Sequence, residues 1–166
     1  MARIAATVDI ARSADDVFAY VTDSARYVEW QRGAIRGDTL PQQGSVAIGV
    51  GSLVTMTRRV GGVERTSTSE ITAYDPPRHW AIHGIDTPLR ANVWVTVEAI
   101  DATSARATIE IEFFGHGLGK ILVPFVNSQA RREMPQSCRS LKERMESKTS
   151  LSQPDRSDGS GGSATD

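Results

Sequence analysis

The sequence predicts an α+β fold: a seven-stranded curved antiparallel sheet around a long C-terminal helix, with two short helices between strands 1 and 2. Three observations carry this. Residues 35–114 are rich in Thr, Val and Ile and are broken at short intervals by the turn signals Gly61-Gly62, Asp75-Pro76-Pro77 and Asp101-Ala102-Thr103-Ser104. Strands joined by such turns pair antiparallel, because a parallel pair needs a crossover of about a dozen residues or more. After Gly115, His116 and Gly117 the pattern changes to helical spacing, first in Ile121, Leu122, Phe125 and Val126, then in Met134, Cys138, Leu141 and Met145. Finally, a sheet with one apolar face needs a cover, and this helix is the large element available to provide it.

Taken in order, Ile4, Ala6, Val8 and Ile10 alternate with Arg3, Ala5, Thr7 and Asp9, the period of a half-buried strand. Ser13, three residues before Asp16, forms an approximate capping box that opens a short helix carrying Val17, Phe18, Tyr20 and Val21. A second cap-like residue, Ser24, opens a further turn with Tyr27, Val28 and Trp30, and Gly33 ends this corner. The remaining strands are expected at 45–48, 52–60, 63–74, 79–85, 89–100 and 105–114. The last is the clearest: Ala105, Ala107, Ile109, Ile111 and Phe113 share one face, and Arg106, Thr108, Glu110 and Glu112 share the other. In the long helix Pro124 lies near the start, where it is tolerated. Pro135 lies in mid-pattern, where the missing N–H predicts a bend or break.

At 166 residues, 39% hydrophobic and 23% charged, the chain has room for a single globular core. That domain is expected over residues 1–147. From 148 to 166 the chain is Ser-, Gly- and Asp-rich with too few apolar residues to offset the entropy of ordering, so a disordered tail is expected. With 19 basic and 20 acidic residues the net charge is −1, so no global field favours nucleic acid or an anionic membrane. The helical region is locally basic, with Lys120, Arg131, Arg132, Arg139, Lys142, Arg144 and Lys148 against Glu133, Glu143 and Glu146. A solvated helix face accounts for this, and no recognition motif for DNA accompanies it. One cysteine, Cys138, excludes an intramolecular disulfide and fits a reducing compartment. The N-terminal residues MARIAATVDI lack the pattern of a signal peptide, and no run approaches the ~20 apolar residues of a membrane span. A soluble, cytoplasmic protein is expected, as a monomer or homodimer.

Residues along the whole chain carry a family resemblance. Val8-Asp9-Ile10, Asp16-Val17-Phe18, Asp23 with Tyr27 and Trp30, Tyr74-Asp75-Pro76-Pro77-Arg78 before a strand, and Leu141-Lys142 with Met145-Glu146 closing the last helix resemble the START-like (SRPBCC) superfamily, in particular its bacterial polyketide cyclase/dehydrase-like branch. The likeness covers about Ile4 to Glu146. It implies a helix-grip fold and an internal cavity for a lipid, polyketide or other apolar ligand. In a minority of members that cavity catalyses cyclisation or dehydration. Pro135 departs from the unbroken helix usual in the family.

No HExxH, CxxC or His/Cys cluster is present, so neither a metal site nor a cofactor is expected. There is no GxSxG, and Gly49-Val50-Gly51 and Gly115-His116-Gly117-Leu118-Gly119 lack the spacing and βαβ context of a phosphate cradle. Cys138 lies on the apolar stripe of the helix and reads as a small hydrophobe. No catalytic residue is assigned; the candidates are Arg58, Arg65 and His83. If Val54, Met56 and Val60 mark the inner face of their strand, Arg58 points inward, and if Ile71 does so for its own, Arg65 and Ser69 follow. A buried arginine needs an anionic partner, either a ligand carboxylate or enolate or a protein acid such as Glu70. By parity His79 and His83 face solvent, while Trp80 and Ile82 face the core. Expected ligand contacts are Tyr27, Trp30, Met56, Trp80 and Ile82, together with Val95, Ile111, Phe113, Phe125 and Met134. Trp94 has parity opposite to Val93, Val95 and Val97 and is placed on the convex surface. The leading expectation is a binding or transport protein for a hydrophobic small molecule. A cyclase/dehydratase-type enzyme using the same cavity and a protein-interaction module are the alternatives.

Overall fold

Strand β1 (Ile4–Ile10) leads through helix α1 (Ala14–Thr22), a 3-10 turn (Ser24–Arg26) and helix α2 (Tyr27–Trp30) in the computed structural model, which describes residues 3–60 and 62–147. Six strands follow, β2 (Ala34–Leu40), β3 (Leu53–Val60), β4 (Val63–Asp75), β5 (His79–Gly84), β6 (Leu89–Asp101) and β7 (Ser104–Gly115), and then helix α3 (Gly119–Ser147). All seven strands form one antiparallel sheet in the order β1-β7-β6-β5-β4-β3-β2. The predicted α+β architecture is the one found. The expected tail, 148–166, lies outside the described residues.

Helix α1 begins where predicted, because the Ser13 hydroxyl accepts the Asp16 amide at 3.2 Å while Asp15 and Asp16 sit in the first turn, on the positive end of the helix dipole. At the second corner the expected cap is replaced by its neighbour. The Asp23 carboxylate accepts the Ala25 amide at 3.0 Å, while Ser24 turns inward, is buried, and shares a 2.7 Å hydrogen bond with the Thr39 hydroxyl. This corner presses so hard on β2 that a Cβ at Gly37 would lie 2.0 Å from the Ser24 carbonyl oxygen.

That contact explains one displaced element. The second strand is Ala34–Leu40, not 45–48. Gly37 interrupts the apolar alternation of the true strand, since the face it presents must be empty to receive the corner. Val46 and its neighbours alternate with nothing to bury against, and Val46 is wholly exposed. Pro135, expected to bend or break the last helix, sits inside a continuous α3. Its ring leaves the Arg131 carbonyl without a helical donor, but Pro135 and Arg131 are both exposed, so water can take that bond.

The sheet's concave face is set by register. Ile10 pairs with Ala105, Val95 with Ile109 and Trp80, and Ile82 with Ile71. On the other half, Val54 faces Ser69, Met56 faces Ser67, and Arg58 faces Arg65. The core lies at one end of this face, where Val17, Phe18, Val21, Val97, Ala105 and Ala107 meet Leu141 and Met145 of α3. The end of α3 is latched there. Arg12 donates to the Met145 carbonyl at 2.8 and 2.9 Å, the Ala11 amide donates to Glu146 at 3.0 Å, and Lys142 reaches the Asp9 carbonyl at 2.8 Å. A cation on the last carbonyls of a helix also opposes its dipole favourably.

Candidate functional site

Helix α3 seals the sheet unevenly. Its buried residues are Gly119, Cys138, Leu141 and Met145, so nothing from 120 to 137 is fully covered. Beneath that stretch Met56, Ile82, Val93 and Ile109 pack against the core yet remain part-buried, and Ile111 and Phe113 are half-buried as well. An apolar concave face is therefore left partly open under the first half of the helix. This open stretch, the groove, lies between the first half of α3 and the half-buried residues of β3, β5, β6 and β7, and α2 packs against α3 beside it.

The expected contact residues divide by depth. Tyr27, Trp30, Trp80 and Val95 are 2–6% exposed and form the packed wall behind the groove. Met56, Ile82, Ile111, Phe113 and Met134 are half-buried and line it. Phe125 is corrected: it is 65% exposed, on the side of α3 that faces away from the sheet, because the helix turns Val123 and Val126 inward instead. Val93, Ile109, Gln31, Asn127 and Glu133 were not singled out from the sequence. The parity of the first two was legible, whereas the last three carry no pattern until α2 and α3 meet.

Arg58 is the one charged side chain that the sheet directs into this region from β3, as its parity predicted. It donates to the Gln31 side-chain oxygen, to the Arg32 carbonyl at 3.4 Å and to the Met56 sulfur at 2.9 Å. Burial lowers its pKa, and the charge of Glu133 on α3, itself held by Gln129 at 3.0 Å, acts the other way. Among the described residues Arg58 forms no ion pair. Glu70, the protein acid considered from the sequence, pairs with Leu53 and His83 and so has the opposite parity. It belongs to the other face. Arg65 lies directly across from Arg58 but is exposed, at the rim.

Further polar atoms stand near this end without partners. Trp30 Nε1 and Asn127 Oδ1 are buried and make no hydrogen bond within the protein. Such orphans each cost about 1–3 kcal/mol unless something occupies them. Tyr27, packed edge-on against Trp30 with ring centroids 5.8 Å apart, is held protonated because burial pushes its hydroxyl pKa well up. Cys138, raised to about 11 by burial, is no nucleophile.

His83 is on the convex face. Its Nδ1 lies 2.6 Å from Asn92 Oδ1 and its ring stacks on Phe114 at 5.3 Å. The sequence expectation that it faces away from the core holds, and the same fact removes it as a base for chemistry in the groove. Trp94 also lies on the convex side, where the Arg3 guanidinium covers its ring at 4.1 Å. Among the described residues no cluster of three or more metal-ligating side chains occurs, and no helix is long and apolar enough to cross a membrane.

No curated protein sequence matches this chain. Solved structures share the fold. Zhui aromatase/cyclase from Streptomyces sp. R1128 superposes with a TM-score of 0.74 at 16% identity, covering 89% of this chain and 95% of that one. A START superfamily protein from Mycobacterium smegmatis gives 0.72 at 12% identity, over 87% and 97%. The di-domain ARO/CYC BexL from the BE-7585A biosynthetic pathway gives 0.68 at 15% identity; 88% of this chain is covered but 47% of BexL, so the chain spans about half of that protein. Residues 1–146 match the family model described as polyketide cyclase / dehydrase and lipid transport, and the chain belongs to that family.

Proposed function

We propose that this protein binds a hydrophobic small molecule, a lipid, polyketide or aromatic metabolite, in the groove between α3 and the concave face, and carries it without changing it. The observation that supports this reading most is the run 120–137, none of it fully buried, above half-buried apolar residues. A tightly packed domain would close that gap. A ligand burying about 300 Å² of apolar surface there contributes roughly 7 kcal/mol at ~25 cal/mol per Å², before ordering costs. Arg58, held by neutral partners, supplies the polar end: a carboxylate, enolate or carbonyl oxygen of the ligand is the partner it lacks. On this reading the protein acts in the cytoplasm, as a monomer or homodimer, with no metal, cofactor or nucleic acid.

The test is native mass spectrometry of the purified protein beside its denatured spectrum, with extraction of any small molecule that copurifies. A stoichiometric apolar ligand lost on denaturation is expected, and Arg58→Met should reduce its retention about tenfold, the value of one charge-assisted hydrogen bond of ~1.4 kcal/mol. A clean apo mass, with no thermal shift against fatty acids, sterols and aromatic polyketides, overturns the reading. The cyclase/dehydratase alternative draws on the same Arg58, which would polarise a keto oxygen, with Glu133 as the nearest acid in effect. Conversion of a poly-β-keto chain by the wild type but not by Arg58→Met would favour it.

A further inference from the structure

Strand β4 lies between β3 and β5, so it is not an edge, yet much of its concave face is polar. There Arg65, Ser67 and Ser69 lead up to the fully buried Ile71, and they pair with Arg58, Met56 and Val54 of β3. The concave face of an interior strand ordinarily presents apolar side chains. Ser67 and Ser69 are half-buried, and neither they nor Arg65 have a side-chain partner among the described residues. At the outer end of this stripe two arginines stand directly opposite each other. In such a pair the Cα atoms are about 4.5–5.5 Å apart, and like charges so placed repel. The acids of the same hairpin are on the other face: Glu64 pairs with Arg59 at 2.8 Å, and Glu70 shares the parity of Glu64.

A guanidinium carries five N–H donors. Those of Arg58 reach the Gln31 side-chain oxygen, the Arg32 carbonyl and the Met56 sulfur, all uncharged, and the rest have no partner among the described residues. Glu133 of α3 is the acid whose charge favours the Arg58 cation. Its carboxylate is held by Gln129 at 3.0 Å, and it forms no ion pair with either arginine. Two cations against this one acid leave the rim of the groove positive. A pair of guanidiniums one strand spacing apart, with the Ser67 hydroxyl next in line, suits an oxyanion that offers several oxygens at once. The half-buried Met56, Ile82 and Val93 beyond it suit an apolar chain.

We propose that Arg58 and Arg65 form an oxyanion site at the rim of the groove, and that the cargo is an anionic amphiphile whose carboxylate or phosphate head they hold while its chain lies over Met56, Ile82 and Val93. This rests on the carrier reading and narrows it, because a neutral sterol, alcohol or hydrocarbon leaves the arginine pair unanswered.

The experiment titrates three probes of one chain length, dodecyl phosphate, dodecanoate and dodecanol, into the full chain by calorimetry. Both anions should bind about tenfold or more tighter than the alcohol, as one charge-assisted hydrogen bond or more requires. The tighter of the two identifies the head. Arg65→Gln should shrink that ratio about tenfold, and Arg65→Lys, which keeps the charge, should recover part of it. Arg65 is exposed, so neither change touches the core. Arg59→Gln removes a cation from the opposite face of the same hairpin and should leave the ratio as it is. If it acts like Arg65→Gln, net charge explains the preference and the site is overturned. Inorganic phosphate should bind about tenfold or more weakly than dodecyl phosphate; equal affinity would mean a site for free anions and overturns the amphiphile. Dodecanol bound as tightly as the anions overturns the oxyanion site and leaves the carrier reading standing. No binding by any of the three chains removes the carrier reading itself, and the site with it.

Discussion

Glu146 joins two distant parts of the chain through one carboxylate, accepting from the Ala11 amide and from Lys142 Nζ at 3.0 and 2.7 Å. These bonds hold its pKa below the ordinary 4.5, the Lys142 hydrogen bond being the largest cause. A depressed carboxyl stabilises the fold above its unfolded pKa, and the contribution is lost as pH falls through the lower, folded value. Glu146→Gln should therefore lower the melting temperature at pH 6 to 7 and flatten its fall between about pH 5 and 3; thermal melts across that range check this. Asp9, lowered mainly by its hydrogen bond to Arg106, acts in the same direction and remains in the variant. At this scale the sequence was informative wherever parity alone decides. Arg58 inward, His83 outward and Trp94 on the convex side all follow from a period of two. The Asp23 cap did not follow, because Asp and Ser are equally good caps and the choice rests on Thr39, 15 residues away, capturing Ser24.

Helix α3 shows the same contrast at the level of an element. Its C-terminal half was legible, since Cys138, Leu141 and Met145 recur at helical spacing and are all buried. The N-terminal half carries an equally apolar pattern, but the structure turns Ile121, Leu122 and Phe125 outward. Spacing reports that a stripe exists without reporting which side the sheet is on. Leu141, fully buried among α1 and the sheet, should cost about 2–5 kcal/mol as Leu141→Ala in denaturant unfolding, whereas Ile121→Ala, already 74% exposed, should cost under about 1. Equal losses would mean that the whole length of α3 is packed. Strand β2 was hidden for a different reason: Gly37, a strand breaker by propensity, is required there by the approach of the Ser24 backbone.

Across the whole molecule the sheet is a grip closed firmly at the α1 end and loosely at the other, which is what gives a carrier both stability and an entrance. A ligand that fills the loose end stabilises the folded state by mass action, about 2.7 kcal/mol at a hundredfold excess over its Kd. A thermal shift that saturates with ligand and disappears in Ile111→Asp should accompany it; an undiminished shift in that variant places the ligand elsewhere. Sequence alone reached the architecture, since seven strands and one long cover leave few arrangements. It could not reach the gap, which depends on how far α3 stands off Met56, Ile82 and Phe113.

The strand order has a consequence for how the protein comes into being. β1 is made first, yet its partner is β7, and the Thr7–Thr108 bond across that seam joins residues 101 positions apart. Strands β2 to β6 each have a sequence neighbour to pair with as the chain emerges, whereas the partner of β1 does not exist until β7 has been synthesised. The charged outer face of β1, Arg3 and Asp9 on either side of Thr7, is then a safeguard for the nascent chain as well as a surface of the finished one.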